Sequence, residues 1–171
     1  MDIFEIIKKR RCIRKFEKKD ISDKEIETIL EAATWAPSAG NLQSWFFVVV
    51  KNNEIKNKLA RAALFQRFIG EAPVVIVSCA DTRKSSLVYG KRGKELYAIQ
   101  DATIASQNIL LTAYSLGLGT CWVGAFNETK VRDILSLRKH MRPVAIIPVG
   151  YPSQNPRPRS RRPIEKVSKY I

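Results

Sequence analysis

The sequence predicts an α+β sandwich around a small mixed sheet, and three observations carry that prediction. Amphipathic helical stretches and apolar strand stretches alternate irregularly along 171 residues, one strand is apolar on both faces, and no internal repeat or linker interrupts the chain. The length suits one domain with room for a core, so residues 1–171 are expected to form one unit, with 151–171 an extended basic tail.

From Asp2 to about Lys9, Ile3, Ile6 and Ile7 share a helical face, and Asp2 is placed to cap the first turn. Ser22 with Glu25 forms a capping-box pattern, and Ile26, Ile29, Leu30 and Ala33 continue as an apolar stripe until Pro37. Residues 37–43 (PSAGNLQ) are small and polar, which predicts a loop, and Trp45 to Val50 follows as a buried strand. Asn53 is placed to cap a helix carrying Ile55, Leu59, Ala62 and Ala63, and Pro73 to Ala80 reads as a central strand.

From about Glu95 to Leu116 runs a long helix marked by Leu96, Ile99, Thr103, Ser106, Leu110 and Ala113, with only Glu95 and Asp101 charged. A helix so apolar needs cover on every side, which predicts a partner subunit against its outer face. Gly117 ends it, Gly119 allows a further tight turn, and Thr120 to Val123 resumes as a strand. Asn127 starts a short helix through Val131, Ile134 and Leu135, and Val144 to Val149 forms the last strand. Beyond Gly150, four prolines among arginines predict an extended tail over a surface.

The net charge of +14 is unevenly spread. Residues 8–19 hold eight Lys/Arg against one Glu, and residues 157–169 hold six against one Glu, leaving a nearly neutral body. Two basic segments at opposite ends of a neutral chain suggest two sides of one anion pocket, with Arg10, Arg11 and Arg14 forming a guanidinium fork suited to a phosphate monoester. A surface for nucleic acid would interleave aromatic residues, and only Phe16 lies in either segment, so no nucleic-acid partner is expected. A basic nucleic-acid-binding module is the outlying alternative.

Other chemistries fit poorly. Residues 117–122 (GLGTCW) follow a helix rather than a strand and have Trp122 where a dinucleotide fingerprint needs its third glycine. What remains is a turn exposing the backbone of Trp122, Val123, Gly124 and Ala125, with Gly124 permitting close approach of a ligand. His140 is the one histidine and no G-x-S-x-G elbow occurs, which argues against a hydrolase. Cys12, Cys79 and Cys121 suggest neither a disulfide framework nor a metal site. No apolar run nears the ~20 residues of a membrane span, so no membrane partner and a cytoplasmic location are expected.

In order, an RRxxR segment after the first helix, APSAGNLQSW, QRFIGEAPVVIV, the helix QDATIASQNILL, GLGTCWVG, a PVGYP strand end and a PRSRRP tail resemble the nitroreductase family over nearly the whole chain. The resemblance implies that family's sandwich fold, a helical homodimer interface, and flavin mononucleotide (FMN) bound between subunits. It assigns Arg10, Arg11, Cys12 and Arg14 to the flavin phosphate and ribityl chain, with Cys12 where serine is common. Arg159 and Arg161 complete the phosphate site.

By the same resemblance, Pro37, Ser38, Ala39 and Asn41 belong to the loop that reaches the flavin of the other subunit. Gln66 sits where an amide touches ring or ribityl chain. Val123, Gly124 and Ala125 form the strand end whose backbone N–H faces the reactive ring nitrogen. No catalytic side chain is named, because the flavin carries the redox chemistry. The implied activity is transfer of electrons from NADH or NADPH to a nitroaromatic, quinone or similar small acceptor by a ping-pong mechanism. Relatives of this architecture also dehalogenate, dehydrogenate or modify flavin, and these are the alternatives on the same fold. Few residues separate Ala80 from Glu95, which predicts a minimal substrate lid.

Overall fold

The computed structural model describes residues 2–171. Among the described residues seven α-helices and four strands follow one another as α1 (Ile3–Lys9), α2 (Asp23–Thr34), β1 (Trp45–Val50), α3 (Asn53–Ala62), α4 (Phe68–Glu71), β2 (Val74–Asp81), α5 (Thr82–Arg92), α6 (Ala98–Ser115), β3 (Gly119–Thr120), α7 (Glu128–Ile134) and β4 (Met141–Gly150). The sheet order is β1-β2-β4-β3, and these pairs are all antiparallel. The parallel component is an isolated bridge between Cys12 and Thr120.

Alternation along β2 divides the core into two layers. Val74 and Ile76 join Ile147 and Val149 of β4 beneath α2 and α6, where Ile29, Ala33, Ala105, Ile109 and Ala113 pack. Val75, Val77 and Cys79 face the other way with Ile146, against Leu59 and Ala63 near α3 and Val131 of α7. A sheet with helices on both faces explains why β2 is apolar throughout.

The caps set several boundaries. Ser22 and Glu25 form the full reciprocal box, and Asn127 accepts from the backbone of Lys130 at the start of α7. Asp2 occupies the cap position of α1 without a side-chain capping bond. Asn52, not Asn53, caps α3 by accepting from the Ile55 N–H, because a cap must precede the first helical residue.

Other expectations need adjustment. β1 is an edge strand rather than a buried one, with Phe46 exposed, because only β2 pairs with it. The long helix begins at Ala98, after a π-helical turn at Gly93–Tyr97, and its buried stripe runs through Ala98, Asp101, Ala102, Ala105, Ile109 and Ala113, while Thr103 is exposed. Helix α5 fills the stretch expected to hold little; Gly90 kinks it with a positive φ of 54°. Gly119 serves close packing rather than a turn, since a Cβ there would lie 2.7 Å from Ile13 Cγ1. The strand that Gly119 opens is only two residues long, and Val123 rejoins the sheet through a bridge to Ile146.

β4 extends back to Met141 despite Pro143, which sits at the register shift opposite Ser78 and Cys79. Lys56 is buried in α3 and donates to the carbonyls of Ala72 (2.6 Å) and Pro73 (3.1 Å), tying the helix to the entrance of β2. The tail after Gly150 is extended save for a single 3-10 turn at Ile164–Lys166. Among the described residues no helix is long and apolar enough to cross a membrane.

Candidate active site

The two basic segments meet because the backbone joins them. Glu17 N–H donates to Tyr151 C=O (2.9 Å), Ser153 N–H donates to Lys15 C=O (3.0 Å), and Phe16 bridges to Pro152. This lays residues 15–17 beside 151–153, so the arginines before and after that ladder converge. A third tether is Ile13 N–H to Thr120 C=O at 2.8 Å, with Ile13 buried against Gly119.

The result is a cavity of about 380 Å³ lined by Arg10, Arg11, Cys12, Arg14, Gln154, Asn155, Pro156, Arg157, Arg159 and Arg161. Six guanidiniums face one space whose lining contains no carboxylate, and among the described residues none of the six forms an ion pair. Crowded like charges repel, and a multiply charged anion relieves that repulsion.

Within the cluster the arginines differ in availability. Arg11 donates to the Lys8 and Arg10 carbonyls at the end of α1, and Arg161 donates to the carbonyls of Arg159 (3.1 Å) and Ser160 (3.0 Å). Arg14 lies over the Phe68 ring with its guanidinium carbon 5.7 Å from the centroid. Cys12 shares this wall beside Cys121, whose thiol donates to the Trp122 carbonyl at 3.8 Å. The neighbouring Cys121 side chain, the Arg10 guanidinium and the Trp122 backbone favour the thiolate, outweigh burial and pull the Cys12 thiol down to about 5.

Phe68 leads to the next group. Gln66 Nε2 donates to the Ala63 carbonyl (2.9 Å) and the Ala125 carbonyl (3.3 Å), which places its amide beside the last residue of the 123–125 strand end. Val123 is buried by its bridge to Ile146, whereas Gly124 and Ala125 are exposed. A Cβ at Gly124 would come within 3.2 Å of the Trp122 indole nitrogen, so glycine keeps this backbone open.

Pro37, Ser38, Ala39 and Asn41 lie elsewhere. They form a turn closed by Gln43 N–H to Ser38 Oγ (2.9 Å), with Gly40 and Asn41 at positive φ. Ala39 N–H donates to Oδ1 of Asp101 (3.0 Å), fixing the turn to α6. Tyr89 of α5 covers Gly40 closely enough that a Cβ there would lie 2.5 Å from its hydroxyl. Pro37, Ser38 and Ala39 line a second cavity, about 550 Å³, with Tyr97, Ile99, Gln100, Asp101, Thr103 and Ile104. The two cavities share no lining residue, and Asn41, Gln66, Val123, Gly124 and Ala125 line neither, so the chain by itself does not gather the expected set into one cavity.

Gln154, Asn155 and Pro156 join the cavity without a signal in the sequence, whereas Arg157 opens the second basic segment. Asp101 stood out only as a rare charge on an apolar helix, and Cys121 carried no signal until the Cys12–Thr120 bridge placed it.

Sequence comparison fits this arrangement: residues 7–66 and 60–151 match the nitroreductase family. The chain belongs to the nitroreductase family. A Methanothermobacter thermautotrophicus protein provisionally named NADH dehydrogenase/NAD(P)H nitroreductase is 38% identical over 160 residues, covering 91% of this chain and 80% of the relative. The Bacillus subtilis FMN reductase [NAD(P)H] is 28% identical over 180 residues, covering 98% and 72%. The crystal structure of Vibrio harveyi NADPH:FMN oxidoreductase complexed with NAD+ superposes with a TM-score of 0.90 at 30% identity, covering 98% of this chain and 76% of the other. The nitroreductase fold therefore holds as the motif order implied, with its helices on both faces of a small sheet.

Proposed function

We propose that this protein is an FMN-dependent oxidoreductase that takes electrons from NADH or NADPH and passes them to a small acceptor such as a nitroaromatic or quinone. The observation that carries this reading is the carboxylate-free cavity faced by six arginines. It fits a phosphate monoester in charge and donor geometry. The names of the Bacillus subtilis and Vibrio harveyi relatives supply the flavin and the nicotinamide donor.

In this reading Arg10, Arg14, Arg157 and Arg159 hold the phosphate, while Arg11 and Arg161 shape the cavity through their carbonyl contacts. Gln66 and the open backbone at Gly124 and Ala125 border the ring. FMN, when bound, supplies the capacity to accept a hydride and release electrons to an acceptor. The protein's share is to orient the ring, present backbone donors to it and neutralise the phosphate charge.

The separation of the 37–41 turn from the arginine cavity supports a homodimer in which each subunit lends that turn to the other's site. Exposed Ile3, Phe4 and Ile7 on α1 and Ile104 on α6 support the same assembly, since such apolar faces call for cover. With no dinucleotide fingerprint, donor and acceptor use one opening in turn, which gives ping-pong kinetics.

The test is the visible spectrum of purified protein before and after anaerobic NADPH, followed by steady-state rates against a quinone. Flavin absorbance that bleaches, and parallel double-reciprocal plots, are expected. Protein that neither contains nor binds FMN would overturn the reading.

A further inference from the structure

Cys12 and Cys121 lie on segments 109 residues apart in sequence, yet the parallel bridge of Cys12 with Thr120 makes them diagonal neighbours. Bridged segments lie about 4.8 Å apart, which keeps the two backbones close, and because successive strand residues turn to opposite faces it is shared packing that brings the two side chains together. Both side chains pack into the same cluster, on the α3 and α7 side of the sheet, and the Cys121 thiol donates to the Trp122 carbonyl at 3.8 Å.

The two sulfurs differ in setting. Cys12 lines the arginine cavity and is reachable from it, whereas Cys121 is 1% exposed. One thiol therefore meets solutes when the cavity holds no ligand, while the other waits behind it. Cys79 shares the cluster but is fully buried in β2, and burial pushes its thiol up to about 12.

We propose that Cys12 and Cys121 form a peroxide-responsive thiol pair that closes into an intramolecular disulfide behind the arginine cavity. The oxidant is a hydroperoxide, with hydrogen peroxide the simplest. The Cys12 thiolate attacks the O–O bond, and sulfur gains one oxygen as sulfenic acid while the departing hydroxide takes a proton to become water. The Cys121 sulfur then attacks the Cys12 sulfur. The S–O bond breaks as the S–S bond forms, and the Cys121 proton leaves with the hydroxide as a second water. Two thiols lose two electrons and two hydrogens, and one peroxide becomes two waters.

The arrangement favours each step in turn. Arg10 stabilises the attacking thiolate, and cationic surroundings are where reactive thiols occur. The neighbouring Cys12 side chain, burial and the Cys12 charge together hold Cys121 protonated. Once Cys12 carries oxygen its charge is gone, while Arg14 and Arg10 still favour the Cys121 thiolate.

The experiment treats the purified full chain with equimolar hydrogen peroxide, alkylates remaining thiols, and maps them by peptide mass spectrometry. The expected result is loss of two of the three alkylatable thiols and one peptide pair joined through Cys12 and Cys121. Cys121→Ser should stop at a dimedone-trapped Cys12 sulfenic acid, and Cys12→Ser should lose at least about tenfold in oxidation rate. Should Cys121→Ser not fold, the wild-type map decides alone. Three intact thiols, a disulfide between two chains, or wild-type oxidation rates in Cys12→Ser would each overturn the proposal.

Discussion

The main-chain N–H of Ala39 is held at 3.0 Å by Oδ1 of Asp101, a side chain only 2% exposed on an otherwise uncharged helix. Its second oxygen, Oδ2, has no protein partner, so the carboxyl group is held by a single backbone donor. Removing it frees the 37–41 turn from α6 and strands a part-buried N–H. Asp101→Ala should lower stability by ~1.5–3 kcal/mol, in the range of a hydrogen bond to a charged group. Asp101→Asn keeps an acceptor and should lose less. Urea unfolding of both variants checks the order, and equal losses would mean that the anchor is not what Asp101 contributes.

If the arginine cavity holds the flavin phosphate, its arginines discriminate FMN from riboflavin. Arg10→Ala or Arg159→Ala should weaken FMN binding roughly 10–100-fold, from ~1.5–3 kcal/mol per charge-assisted contact. Riboflavin has no phosphate, so its affinity should stay within about twofold. Fluorescence quenching titrations of both ligands make the comparison. Parallel losses for FMN and riboflavin would place the phosphate elsewhere.

Much of this was legible because the responsible signals are local. Ser22 with Glu25 and Asn127 mark helix starts by side-chain chemistry that acts within three residues, and β2 is apolar on both faces because helices cover both. The meeting of the arginine clusters was legible through charge, since repulsion within one small cavity has a reason only if an anion relieves it. Helix α5 was not legible: TRKSSLVYGKR has no apolar stripe, exposes Leu87 and Val88, and contains Gly90. Neither was the edge position of β1, because WFFVVV reads the same in an edge strand or a central one. The Cys12–Cys121 pair depends on a bridge between distant segments, which no local pattern encodes.

Gly119 links packing to the cavity. A Cβ there would approach Ile13 Cγ1 at 2.7 Å, Cβ at 2.8 Å and Cγ2 at 2.9 Å, and Ile13 is the buried peg between Cys12 and Arg14. A β-branched side chain has few rotamers with which to escape. Gly119→Ala should therefore cost ~1–3 kcal/mol by overpacking and displace the 10–14 segment. Thermal unfolding would register the first effect and weakened FMN binding the second. A wild-type profile in both would show that Ile13 does not position the arginines.

Cys12 gives the site a pH signature. Its thiol falls from 9.0 to about 5 through the neighbouring Cys121 side chain, against burial, with help from Arg10 and the Trp122 backbone. An ordinary thiol loses alkylation rate about tenfold per pH unit below its pKa near 8.5. Cys12 should instead react with iodoacetamide at a rate nearly independent of pH from 8 down to about 6, and decline only towards about 5. The sign for stability follows from the same shift. A folded-state pKa below the unfolded one adds stability above the unfolded value, and that contribution fades as pH falls through the folded one. Wild type should thus gain stability over Cys12→Ser as pH rises from about 5 towards 9. Alkylation that slows tenfold per unit already below pH 8, with no such gain, would mean that Arg10 and Cys121 do not stabilise the thiolate.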